Sequence, residues 1–126
     1  MKEQPEETLF EKLGGMPAVE TAVDMFYKKV LDDSRLNRFF TLTDVRVQAR
    51  KQKAFFAYAF GASSPYTGKS LQNAHAHLVQ QGLTDQHFNF VIEHLIDTLN
   101  DMQVAKYLIK EVIYIVNDTR DDILGR

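Results

Sequence analysis

The sequence predicts an all-α protein, and three observations predict it. After Pro5, glycine and proline fall in a few places: Gly14, Gly15 and Pro17, then Gly61, Pro65 and Gly68, then Gly82 and Gly125. Residues 18–60 and 83–124 contain neither. Turns between short strands usually need such breakers, so stretches this long favour helices. Within them, apolar residues recur at the i, i+3, i+4, i+7 spacing of one helix face. The composition, 44% hydrophobic with 9 Phe and 5 Tyr, supplies a core that a disordered chain lacks. At 126 residues, with no repeat or linker, positions 1–126 read as one domain, and the polar residues 1–7 as a flexible extension.

Each element has its own signal. Thr8 and Glu11 have the spacing of a capping box for a short first helix, stopped by Gly14-Gly15. Pro17 stands near the start of the second, with Val19, Ala22, Val23, Phe26 and Val30 on one face. Asp32-Asp33-Ser34 interrupts it, and residues 35–40 read as a turn ending in two aromatics. Asp44 caps a third helix that carries Val45, Ala49, Phe56 and Phe60 on one side. After the 61–68 loop, a short helix over about 71–80 turns Leu71, Ala74, Leu78 and Val79 inward. Thr84 opens another through Phe88, Val91, Ile92, Leu95 and Leu99. Val104, Leu108, Val112 and Ile115 mark the last.

Charge and composition remove several classes. Lys and Arg number 15 against 17 Asp and Glu, a net charge of −2, so no basic excess exists to neutralise a nucleic-acid backbone. Without cysteine there is no disulfide framework, thiolate metal site or cysteine nucleophile. No apolar run approaches the roughly 18 residues of a membrane span. The polar, acidic N-terminus is not a secretory signal, which makes the cytoplasm the expected compartment. The near-neutral charge does not demand assembly, and a monomer or weak dimer is expected.

Four polar residues fall where apolar ones belong. His75 lies in the arc of Leu71, Ala74, Leu78 and Val79; Gln52 lies between Val45, Ala49, Phe56 and Ala59, with Gln48 at the edge of that arc; Tyr27 stands beside Phe26 and Val30. Burying such a group unpaired costs about 1–3 kcal/mol. Each alone is consistent with a core group bonded to a nearby carbonyl. Together they point to a polar-lined cavity, or to a bound group with apolar and polar parts. One histidine without thiolates makes a poor zinc site but suits an axial position on a haem. His87 and His94 lie two turns apart, too far for one ion, and read as structural, while His77 is expected to face solvent or to reach a nearby acidic group. Arg46, Arg50, Lys51 and Lys53 form a solvated face able to meet carboxylates at a pocket mouth. No local signature places a histidine beside a serine nucleophile.

The chain also contains, in order, Leu9-Phe10-Glu11-Lys12-Leu13-Gly14-Gly15, Phe26-Tyr27, Asn37-Arg38-Phe39-Phe40, Gln52-Lys53-Ala54-Phe55-Phe56 and Tyr58-Ala59-Phe60-Gly61. Pro65-Tyr66-Thr67-Gly68, Ala74-His75, Gly82-Leu83-Thr84 and His87-Phe88 follow. This set resembles the group I truncated haemoglobins, or two-over-two globins, over nearly the whole chain. The lack of Trp separates it from the second and third groups, which typically place one in the distal pocket. The resemblance implies a two-over-two helical sandwich around one non-covalent haem b per chain. It makes His75 the proximal ligand of the iron and Tyr27 the distal hydroxyl that donates to the bound ligand, with Gln48 and Gln52 facing the same ligand. Phe40 matches the phenylalanine on the haem face. Phe55 or Phe56 lines or gates an apolar ligand path, and Phe88, Ile92 and Leu95 complete the cavity. Lys51, Lys69 or Arg50 would meet the propionates. The implied ligands are dioxygen, nitric oxide and carbon monoxide. The implied reaction is dioxygenation of nitric oxide to nitrate, which needs an unidentified external reductase.

Two departures from the family pattern bear on this. Lys51 stands where some cyanobacterial relatives carry a histidine that closes on the iron. An electron-transfer or redox-sensing protein with Lys51 as distal ligand is therefore the alternative, and its ammonium would first have to lose a proton. A haem-free helical interaction module, its inward polar groups merely satisfied, is a third reading. Asn117-Asp118-Thr119-Arg120 lacks the histidine through which those relatives link haem covalently, so attachment is expected to be non-covalent.

Overall fold

The computed structural model describes residues 7–41, 44–61 and 71–126, and of 71–74 the backbone alone. The expected extension, apart from Glu7, and the loop residues 65–69, Lys69 among them, lie outside the described residues.

Every regular element among the described residues is helical. α1 (Leu9–Leu13) starts on the expected capping box: the Glu11 amide donates to Thr8 Oγ1 at 3.1 Å and the Thr8 amide to Glu11 Oε1 at 3.2 Å. α2 (Gly15–Asp32) buries the Val19, Val23, Phe26, Val30 face together with Tyr27. A 3-10 turn over Asn37–Phe40 follows. α3 (Val45–Ala59) begins at Asp44, whose carboxylate accepts from the amides of Arg46 and Val47. α4 (Leu71–Gln80), α5 (Asp85–Asp101), α6 (Lys106–Asn117) and α7 (Arg120–Leu124) complete the order.

α2 packs on α3 and on α5, α5 on α6, and α1 on both α2 and α6, while α4 rests on α7. This is a two-over-two sandwich. Its core is the seam where Val23 and Phe26 meet Leu95, Leu99 and Val112, each side chain contributing about 1.5–3 kcal/mol by burial. α1 closes one end: the Phe10 amide donates to the Phe60 carbonyl at 2.8 Å. Gly61, at φ 104°, permits this approach, since a Cβ there would come within 3.0 Å of Thr8. Two surface ion pairs, Lys53 to Asp24 at 3.0 Å and Lys29 to Asp101 at 2.8 Å, tie α2 to α3 and α5; each is worth about 0–1 kcal/mol. Among the described residues no helix is long and apolar enough to cross a membrane.

The last helix differs from expectation. The sequence predicts one element, but the structure ends α6 at Asn117 and starts α7 at Arg120. Thr119 turns its hydroxyl onto the Val116 carbonyl at 2.6 Å, a local bond that competes with the helical ladder. Arg120 then reaches to α5, donating to Asn89 Oδ1 at 2.7 Å and Asp85 Oδ1 at 3.2 Å. α5 stops without glycine: Gln103 takes the left-handed conformation (φ 61°), and Val104 donates to the Leu99 carbonyl at 3.0 Å.

Candidate functional site

The distal wall is built from α2 and α3. Tyr27 is buried on α2, and its hydroxyl has no hydrogen-bond partner among the described residues. Burial pushes the phenol well above its ordinary pKa, so the hydroxyl keeps its proton and remains a donor. Phe40, from the 3-10 turn, stands edge-on to Tyr27 with ring centroids 5.6 Å apart. On α3 the side chain of Gln52 also buries an unpartnered oxygen, Oε1, and Gln48, one turn earlier, is half-buried. Two orphaned polar atoms in one small core are uncommon in a finished fold, and both belong to residues singled out by the apolar arcs. Lys51 is exposed on α3.

Behind this wall lies an apolar cavity of about 30 Å³. Phe26 lines it, edge-on to Tyr27 at 6.3 Å and to Phe56 at 6.4 Å. Phe56 and Leu95 also line it. Phe55 is half-buried beside Phe56 at 5.7 Å. Ile92 is half-buried on α5. Phe88 is buried, with the Arg120 guanidinium 4.5 Å over its ring.

The remaining side is α4. It carries His75, half-buried, while His77 is exposed. Among the described residues no group of three or more His, Cys, Asp or Glu side chains could hold a bare metal ion. A half-buried imidazole such as that of His75 suits a metal whose other ligands come with a cofactor.

Several polar contacts near the site were not visible in the sequence. His94 Nε2 lies 2.7 Å from Asp33 Oδ2, and Arg35 grips the same carboxylate while its guanidinium stacks 3.7 Å over Phe90. The Arg35 hydrogen bonds, with a further one from His94, hold the Asp33 carboxyl well below the usual range. Arg38 donates to the Gln81 carbonyl at 2.9 Å. His87 accepts the Thr84 amide on Nδ1 at 3.1 Å. Only the His87 contact had a local signal, its position three residues after a capping threonine.

A helical sandwich with a buried tyrosine and a glutamine with a buried amide oxygen on one wall, and a half-buried histidine on another, fits the architecture of a globin. The chain matches the bacterial-like globin family over residues 8–125. It is similar to the group 1 truncated hemoglobin GlbN of Synechocystis sp., with 48% identity over 106 residues, 83% of this chain and 86% of that one. The 2/2 hemoglobin of Synechococcus sp. PCC 7002, solved in the cyanomet state with covalently attached heme, superposes with a TM-score of 0.92. Its identity is 47%, over 95% of this chain and all of that one. Truncated hemoglobin from Tetrahymena pyriformis in the Fe(III) form gives a TM-score of 0.88 at 38% identity, over 95% and 100%. It has been solved with a tyrosine changed to phenylalanine and with each of two glutamines changed to glutamate. The chain belongs to the group 1 truncated haemoglobins. Its cofactor is haem b, held without a covalent bond, and haem is where it binds diatomic ligands. The buried Tyr27 hydroxyl, without a partner among the described residues, fits a ligand held on that group, and the Gln52 amide fits it once turned to present its NH2.

Proposed function

We propose that this protein binds dioxygen, nitric oxide and carbon monoxide reversibly with His75 as the iron ligand, and that it converts nitric oxide to nitrate. The observation that carries the reading is the pair of unpartnered buried groups, Tyr27 Oη and Gln52 Oε1. Tyr27, Gln48 and Gln52 also have the spacing of the tyrosine and two glutamines altered in the Tetrahymena pyriformis protein. Haem supplies an iron that donates electron density to a diatomic ligand and makes it a hydrogen-bond acceptor. Tyr27 would donate a hydrogen bond to that acceptor while keeping its proton. Half a turn of the Gln52 amide brings its NH2 to the place of Oε1, adding a second donor, with Gln48 in reserve one turn away. Each such bond in a water-poor site adds about 1 kcal/mol or more, which slows ligand release.

Phe40 excludes water beside Tyr27, and Phe55, Phe88, Ile92 and Leu95 supply apolar surface for the ring. The cavity lined by Phe26 and Phe56 offers dissolved gases an apolar reservoir. Lys51 and Arg50, both exposed on α3, would meet the propionates; a solvent-facing Lys51 favours that role over a sixth iron ligand. Joining dioxygen and nitric oxide into nitrate consumes one electron, so an external reductase is required.

The test is spectroscopic and chemical. Protein loaded with equimolar hemin and reduced should give a five-coordinate ferrous spectrum, form a stable oxy species in air, and release one nitrate per nitric oxide added. No Soret band would sink the haem reading. An oxy species that yields no nitrate would leave gas binding and remove the dioxygenase. A low-spin ferrous spectrum lost in Lys51→Ala would restore the six-coordinate alternative.

A further inference from the structure

α4, which carries His75, is held at its far end by a residue from the opposite wall. The helix ends in a left-handed turn at Gly82 (φ 100°). There the Gly82 amide donates to the Val79 carbonyl and the Leu83 amide to that of Leu78, both at 3.0 Å. This pattern leaves the Gln81 carbonyl outside the helical ladder. Arg38, on the 3-10 turn, fills that place, with Nη1 donating to Gln81 O at 2.9 Å. A Cβ at position 82 would come within 3.4 Å of Arg38 Nη2, so glycine serves both the turn and the close approach. The same guanidinium covers the Phe39 ring at 4.1 Å. Phe39 is buried and edge-on to His87 at 5.0 Å, and His87 caps the start of α5. Next along, Phe40 meets Tyr27. One four-residue turn therefore touches the end of α4, the start of α5 and the distal tyrosine.

We propose that Arg38 is a positioning residue for His75: through the Gln81 carbonyl it sets the height and tilt of α4, and so the strain on the bond from His75 to the iron. The inference rests on His75 being the haem ligand. Position 81 lies six residues beyond His75, about 9 Å along a helix axis, and a helix this short moves as one body. The cation also suits its place, since a helix C-terminus carries partial negative charge. Arg38 itself is exposed, so shortening it leaves the core intact.

The experiment compares wild type with Arg38→Ala, Arg38→Lys and, as a charge control, Lys110→Ala on the exposed face of α6. One readout is the iron–histidine stretching band in the resonance Raman spectrum of the reduced, ligand-free, haem-loaded protein. The other is amide hydrogen exchange at Gly82 and Leu83, with and without haem. Arg38→Ala should shift or split the band and speed exchange about fivefold to tenfold. Arg38→Lys, which keeps a donor and the charge, should recover most of both, and Lys110→Ala should match wild type. An unmoved band overturns the proposal, whether or not exchange speeds up, because Arg38 would then be a structural clasp alone. A wild-type protein that takes up no haem would overturn this inference and the haem reading together; the unmoved band overturns this one only.

Discussion

The two walls of the site are built on opposite rules. On the wall formed by α2 and α3, the Tyr27 hydroxyl and the Gln52 oxygen are buried with no partner among the described residues, at about 1–3 kcal/mol for each. Around the end of the short α4 the polar groups are paired: the Gln81 carbonyl with Arg38, the Thr84 amide with His87. The difference teaches where this fold carries its cost. The unsatisfied groups belong to the residues proposed to face the ligand. The end of the short α4, which rests on α7, is secured by a side chain from the 3-10 turn.

The strongest way to break the comparison is to remove the proximal side chain. His75→Ala should abolish stoichiometric haem uptake, read by hemin titration at the Soret band, while leaving helical content unchanged by circular dichroism. An unchanged Soret band in that variant would take His75 off the iron.

Tyr27→Phe probes the distal wall from both sides. In the haem-free protein it should raise stability in urea by about 1 kcal/mol, since an unpaired buried hydroxyl disappears. In the haem-loaded protein it should speed dioxygen release by about tenfold or more, as bonds to a charged acceptor are worth roughly 1.5–3 kcal/mol. Lower stability with unaltered release would mean that the hydroxyl serves the fold and not the ligand.

The smallest effect belongs to the cap of α5. Burial, helped by the Arg38 charge, holds the His87 pKa below its ordinary value. Its unprotonated Nδ1 accepts the Thr84 amide. A group whose pKa is depressed on folding adds stability that is complete above its unfolded pKa, about 6.5, and is lost as pH falls through the folded value. Urea midpoints should therefore drop between pH 7 and 5. They should drop less in His87→Gln, whose amide oxygen can accept the same bond without titrating. Parallel midpoints in the two proteins would assign that slope to other groups. Asp33, held far below the carboxylate range by Arg35, contributes stability that is complete above its unfolded pKa, about 4, and is lost only in more acidic solution, so it adds no slope between pH 7 and 5.

Much of the site was legible because its signal is local and periodic. Tyr27, Gln52 and His75 each interrupt an apolar arc, and such an interruption can be read within two helical turns. The same reasoning read the caps at Thr8 and Asp44, which lie within three residues of their partners, and the opening of α5 at Thr84. It missed the split between α6 and α7, where no glycine or proline marks the break. It also read Asp33 only as an interruption and Arg38 only as part of a family segment.

By itself, then, the sequence determined the helices, their inward faces and the polar residues that violate those faces, since each depends on side chains three or four positions apart. Only the tertiary structure decided which polar groups would find partners. Asp33 meets His94 across 61 residues, Arg38 meets Gln81 across 43 and Arg120 meets Asp85 across 35. Periodicity carries no record of such separations; the pairs exist because helices packed by their apolar faces bring their polar edges together.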